Sequence, residues 1–109
     1  MANVAVERRA APRIAMVLSA EVVELPQRAR LAARTADISA SGCYVDTLNP
    51  LPKDSQVRIR LAHHDEIFEA LGRIVYVSPG LGMGIIFVTV ETEQRARLER
   101  WLAESAAEF

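Results

Sequence analysis

Two short polar clusters in this chain carry residue types that suit binding of a compact anionic nucleotide. The first runs from Arg9 to Arg13, and the second runs from Asp37 to Gly42 with Ser39 between them. Arginine offers a planar, permanently charged fork that binds phosphate or the O6/N7 edge of guanine. Aspartate accepts hydrogen bonds, a hydroxyl reaches phosphate oxygens, and glycine lets the backbone approach a ligand closely. Together the clusters indicate a site for a small ligand that contains guanine and phosphate.

The bulk composition sets limits on the partners of such a site. With 109 residues, 50% of them hydrophobic and 25% charged, the chain suits one globular domain with a single modest core. The formal net charge of −1 argues against polymeric nucleic acid, which needs an extended basic surface. Cys43 is the only cysteine, so no intrachain disulfide forms and we expect a cytoplasmic location. No segment has the roughly 20 apolar residues of a membrane helix, so we expect no membrane insertion.

The elements that position the clusters follow from the spacing of apolar residues. Alternation of apolar and polar residues is typical of half-buried strands, and it predicts strands at 14–22, 28–35, 43–45, 57–61, 67–77 and 83–88. From about Glu93 the period becomes helical, with Leu98 and Trp101 on one face. The sequence therefore predicts an antiparallel barrel or sandwich followed by a helix. Both polar clusters lie at the edges of predicted strands.

At this point the motifs resemble those of a known family. The pattern Arg9-x-x-x-Arg13, followed by Asp37-x-Ser39-x-x-Gly42, resembles the signature of PilZ domains. The resemblance extends from about Arg8 to about Leu102. It implies a six-stranded antiparallel β-barrel with a C-terminal helix. It also implies binding of the bacterial second messenger cyclic di-GMP, without catalysis.

The resemblance assigns roles to individual residues and segments. Residues 1–13 would form a flexible N-terminal arm, and residues 14–109 would form the barrel and its helix within one domain. The expected ligand-binding residues are Arg8, Arg9, Arg13, Asp37, Ser39 and Gly42. Arg8, which directly precedes the paired motif, further suggests that the protein holds two stacked copies of the ligand.

Each of these residue types also has an ordinary structural role. Asp, Ser and Gly in the second cluster are residues that satisfy backbone donors in turns, which is compatible with ligand binding. Arg28, Arg30 and Arg34 on the predicted second strand are expected to be solvent-side residues whose stems cover apolar surface. His63 and His64 are neighbours on a strand and would point to opposite faces, which makes a poor metal chelate. We therefore expect no metal and no cofactor.

The leading functional hypothesis is a stand-alone cyclic di-GMP receptor that relays its signal to an unidentified downstream protein. The alternative is a ligand-independent PilZ-like interaction module in motility or secretion. A small RNA-binding barrel is disfavoured by the few aromatic residues and the near-neutral charge. An enzyme is disfavoured because Ser39 lacks the sequence context of a nucleophilic serine. Cys43 is expected to be a small buried hydrophobe.

Overall fold

The computed structural model describes residues 12–26 and 29–107. In these residues the chain forms seven strands and one helix. The strands are β1 (Ile14–Ala15), β2 (Ser19–Leu25), β3 (Arg30–Ile38), β4 (Gly42–Asp46), β5 (Gln56–His63), β6 (Glu66–Ser78) and β7 (Gly82–Thr89), and the helix α1 spans Thr92–Ala107. Across the described ranges, no helix has the length and apolar character needed to span a membrane.

Six of the strands close into an antiparallel barrel. Around the ring the order is β2, β5, β6, β7, β4 and β3, and β3 pairs back to β2. The two-residue β1 lies outside this ring and pairs with the end of β3 through Ile14–Ile38 and Ala15–Asp37. The predicted six-stranded antiparallel barrel with a C-terminal helix is confirmed.

The first predicted strand is interrupted at residues 16–18, between β1 and β2. The cause is Thr35 on β3, whose buried hydroxyl donates to the Met16 carbonyl at 2.6 Å and accepts from the Leu18 N–H at 2.9 Å. These two bonds span Val17, whose side chain points outward with 66% exposure. The sequence pattern alone cannot show this break, because Met16 and Leu18 keep the inward positions that uninterrupted alternation predicts.

The barrel interior is filled by the residues that the alternation places on the inner face. Val57, Ile59 and Leu61 on β5 are fully buried, as is Phe68 on β6. The helix adds Trp101, which is 1% exposed and meets the Phe68 ring edge-on. Burial of each such side chain stabilises the fold by about 1.5–3 kcal/mol. The core is therefore shared by the barrel and the helix.

The helix also covers an unpaired edge of the sheet. β6 extends beyond β7, which pairs with it only from Leu71 onward. Along the free part of this edge, the Glu69 N–H donates to the Gln94 side chain at 2.8 Å, and Arg97 donates to the Ile67 carbonyl at 2.6 Å. Covering an edge in this way blocks its pairing with another chain.

Glu66, the first residue of β6, anchors the second half of α1. Its carboxylate accepts two hydrogen bonds from Arg100, at 3.1 and 2.7 Å, and one from the indole N–H of Trp101 at 2.8 Å. The bonds from Arg100, and then the bond from Trp101, lower the pKa of Glu66 to about 2. The ionised carboxylate is therefore part of the contact between helix and barrel.

Candidate ligand site

The second polar cluster forms the turn between β3 and β4. The Ser39 N–H donates to the Gly42 carbonyl at 2.8 Å, and the Ser39 hydroxyl accepts from the Ser41 N–H at 3.2 Å. Ser39 is 5% exposed. A Cβ on Gly42 would lie 2.2 Å from the carbonyl oxygen of Ile85, so glycine is required where β4 approaches β7. In the structure these two residues hold the turn, and their contact with a ligand stays a prediction.

A β-bulge places Asp37 on the outer face of the barrel. Thr35 pairs with Val45, and Asp37 pairs with Tyr44. Between these two pairs β3 advances by two residues and β4 by one, so Ala36 is the extra, bulged residue. Without it, strict alternation would put Asp37 on the same side as Thr35, inside the barrel.

A second bulge does the same for Tyr76 on β6. Ile74 pairs with Ile85 and Tyr76 pairs with Gly84, so Val75 is the extra residue. Ile74 is fully buried, whereas Tyr76 is 41% exposed. The bulge thus reverses the side that continued alternation would assign to the tyrosine.

The two bulges bring their residues into one row across the outside of the sheet. Successive register pairs join five neighbouring strands in the order Tyr76, Gly84, Tyr44, Asp37 and Ala15. The rings of Tyr44 and Tyr76 are stacked, with centroids 5.9 Å apart and planes 25° apart. Gly84 allows this arrangement, because a Cβ there would lie 2.3 Å from Tyr76 Cε2. We call Tyr76, Gly84, Tyr44 and Asp37 the outer row.

Arg13 lies beside the outer row. Its guanidinium is 3.6 Å from Asp37 Oδ2, and its side chain is 55% exposed. Hydrogen bonding to Tyr76, and then the charge of Asp37, raise the pKa of Arg13. The structure therefore brings the predicted Arg13 and Asp37 together and adds Tyr76 to them.

The other oxygen of Asp37 distinguishes this carboxylate from an ordinary surface ion pair. Asp37 Oδ1 is buried, and no described group donates a hydrogen bond to it. A buried acceptor without a donor destabilises a fold by about 1–3 kcal/mol, so the presence of such an atom in a native structure calls for an explanation. A ligand can bring the missing donor once the groups that cover this oxygen move, and the neighbouring Arg13 side chain and Tyr76 ring are both exposed enough to do so.

Sequence reasoning missed both tyrosines and could not place all of the arginines. Tyr76 follows four inward positions of β6, so alternation gave no sign that it faces solvent. Tyr44 was predicted only as a strand former. Arg8 and Arg9 lie outside the described residues, so their part in the site remains a prediction.

Cys43 and the His63–His64 pair are not arranged as a nucleophile or a metal site in the described residues. Cys43 is buried, and desolvation, followed by the nearby charge of Asp37, raises its pKa to about 12. A thiol with such a pKa stays protonated and unreactive. His63 ends β5 and His64 lies in the following turn, so they do not point to opposite faces as adjacent strand residues would: their ring centroids are 3.9 Å apart, with the planes tilted by 42°. Within the described ranges, no group of three or more His, Cys, Asp or Glu residues is arranged to hold a metal ion.

Comparisons with known proteins agree with this architecture. The PilZ domain of CeSA from a cellulose synthesizing bacterium is 22% identical, with a TM-score of 0.67 over 84% of this chain and 94% of that chain. The PilZ domain of YcgR from Escherichia coli, solved with c-di-GMP, is 18% identical, with a TM-score of 0.76 over 93% of each chain. The Bacillus subtilis inhibitor of motility MotI/DgrA is 14% identical, with a TM-score of 0.76 over 93% of this chain and 52% of that chain.

Sequence comparison identifies the family directly. No curated protein matches the chain, but the model of the PilZ domain matches residues 7–104. This range contains both polar clusters, all seven strands and most of α1. The chain belongs to the PilZ domain family.

Proposed function

We propose that this PilZ domain is a receptor for cyclic di-GMP that passes the signal to a separate protein. The observation that carries the proposal is that Asp37, a member of the outer row, has a buried oxygen without a donor and lies beside Arg13. Likeness to the YcgR domain solved with c-di-GMP supports the choice of ligand. Both polar clusters of the sequence take part in the proposed site.

Each residue of the site has a defined task in this proposal. Asp37 Oδ1 accepts N–H bonds from the Watson–Crick edge of one guanine, which has donors at N1 and N2. Tyr76 supplies a face on which that base stacks. Arg13 binds a phosphate or the O6/N7 edge through its fork of donors. Ser39 and Gly42 keep the turn in the shape that presents Asp37.

The arm supplies the remaining positive charge. Arg8 and Arg9 precede Arg13 by five and four residues, and in the proposal they close over the ligand phosphates. Arg8 serves a second copy of the ligand. Closure of the arm changes the surface that a partner meets, and a partner responds only if its affinity differs between the two arm positions. The ligand is bound and released unchanged.

Calorimetric titration of cyclic di-GMP tests this function. We expect saturable binding by the wild-type protein, with losses of about tenfold to 150-fold for Arg13→Ala and for Asp37→Ala, because charge-assisted hydrogen bonds contribute about 1.5–3 kcal/mol. Arg58→Ala is the matched control, since Arg58 is an exposed arginine whose ion pair is with Glu69 on β6. Absence of binding at micromolar ligand would refute the receptor function. Saturation at one ligand would reject only the second copy.

A further inference from the structure

A second guanidinium and carboxylate face each other one row away from the proposed site. Arg34 on β3 and Asp46 on β4 are directly opposite in the strand register, and both are exposed. Asp46 follows Tyr44 by two residues, which is about 7 Å along a strand. Arg34 precedes the bulged segment that ends in Asp37. The Arg34–Asp46 pair therefore lies beside the Arg13–Asp37 pair on the same outer surface.

The two side chains are not engaged with the rest of the described protein. No hydrogen bond or ion pair of 4.0 Å or less joins Arg34 or Asp46 to each other or to another side chain in the described ranges. By contrast, Arg30 on the same strand donates to Glu21 at 2.9 Å. The directly opposed register of Arg34 and Asp46 would allow an ordinary cross-strand ion pair, yet both keep their hydrogen-bonding capacity free.

A groove borders this pair. Its volume is about 650 Å³, and its lining joins Arg34 and Asp46 to small side chains and one exposed valine, namely Val17, Ser19, Ala20, Ala32 and Ala33. The valine and the alanines give the groove apolar area on which a flat ring can lie. Ser19, which is opposite Arg34 in the strand register, adds a polar group beside the Arg34–Asp46 pair.

We propose that the Arg34–Asp46 groove binds the second guanine of cyclic di-GMP, an inference that rests on the proposed function. Guanine presents two acceptors, O6 and N7, to an arginine fork and two donors, N1 and N2, to a carboxylate. Arg34 and Asp46 supply this donor and acceptor combination, as Arg13 and Asp37 do one row away. A ligand with two guanines thus meets two arginine–aspartate pairs.

Titration calorimetry with cyclic di-GMP tests the inference through Arg34→Ala and Asp46→Asn. We expect each variant to weaken binding by about fivefold to 150-fold, the range for one bidentate pair between a side chain and a base. Arg30→Ala is the matched control, because it removes an exposed arginine from the same strand and should leave affinity unchanged. Far-ultraviolet circular dichroism and urea unfolding establish that each variant retains the barrel.

The outcomes separate this inference from the proposed function. If Arg13→Ala and Asp37→Ala lose affinity while folded Arg34→Ala and Asp46→Asn bind as tightly as the wild type, the second guanine site is wrong and the receptor function stands. If Arg34→Ala loses no more affinity than Arg30→Ala does, the inference is also overturned, since both losses would then reflect the removal of one positive charge from the surface. If the wild-type protein binds no cyclic di-GMP, both proposals fail together.

Discussion

The substitution Gly84→Ala tests whether the outer row is a binding surface, because it moves one ring without removing any polar group. A Cβ at Gly84 would lie 2.3, 2.5 and 2.8 Å from three ring atoms of Tyr76. The ring must therefore retreat by about 1 Å to reach the roughly 3.5 Å at which carbon atoms attract. Tyr76 can move, since it is 41% exposed, but it then leaves its stacked position on Tyr44.

The expected effect on folding is small, and the expected effect on binding is large. Loss of the stacked tyrosine pair lowers the free energy of unfolding by about 0.5–1.5 kcal/mol. Replacement of a strand glycine by alanine raises it by about 0.5–1 kcal/mol. The free energy of unfolding should thus change by less than about 1 kcal/mol, measured by urea denaturation. Stacking of a base on an aromatic side chain contributes about 1–3 kcal/mol. Calorimetry should therefore show cyclic di-GMP affinity reduced by about fivefold to 150-fold.

A double-mutant cycle shows whether Gly84→Ala acts through the tyrosine. In a Tyr76→Ala background the ring is already gone, so the added methyl group should cause no further loss of affinity. Wild-type affinity in folded Gly84→Ala would refute the role of the outer row in binding. An equal loss with and without Tyr76 would show that the substitution acts on the barrel instead.

Three further substitutions test the contacts that hold the site in place. Thr35→Val leaves the buried Leu18 N–H and the partly buried Met16 carbonyl without the hydroxyl partner; the buried group alone costs about 1–3 kcal/mol, and urea unfolding should show the loss. Gly42→Ala forces a methyl group to within 2.2 Å of the Ile85 carbonyl oxygen, so we expect destabilisation of about 1–3 kcal/mol by the same method. The pKa of Glu66 is lowered to about 2 from an ordinary 4.5, so its contribution is complete above pH 4.5 and is lost as pH falls toward 2. Glu66→Gln should remove that part of the acid dependence of stability, followed by circular dichroism.

Each of these expectations has a result that contradicts it. Thr35→Ser keeps the hydroxyl and should restore much of the stability, so equal losses in the serine and valine variants would argue against the bridging role. A Gly42→Ala protein as stable as the wild type would mean that β4 can move away from β7. Unchanged acid unfolding in Glu66→Gln would mean that the carboxylate does not anchor the helix.

Most of the barrel was predictable from the sequence because period-two alternation records which side chains face the core. Val57, Ile59 and Leu61 are fully buried as that pattern predicts. The helix is likewise marked by Leu98 and Trp101, both buried on one face. The break after β1 was missed, because the Thr35 hydroxyl that causes it is 17 residues away from Leu18.

The composition of the site was only partly predictable, for a physical reason. Asp37 was identified by its motif, but its outward direction depends on the bulge at Ala36. Tyr76 was missed because the bulge at Val75 reverses its side. A bulge depends on pairing between strands that are distant in the sequence, so a local pattern does not reveal it. The same limit applies to Glu66, whose partners on α1 are 34 and 35 residues away.

A crystal structure of the protein with cyclic di-GMP would show directly which residues bind the ligand. We expect one guanine to stack on Tyr76 and to donate to Asp37 Oδ1 at about 2.7–3.2 Å, the ordinary range for such a bond. We also expect Arg13 to contact the same ligand. A ligand bound elsewhere on the barrel, with Asp37 Oδ1 still lacking a donor, would contradict the proposed role of Asp37 and the outer row.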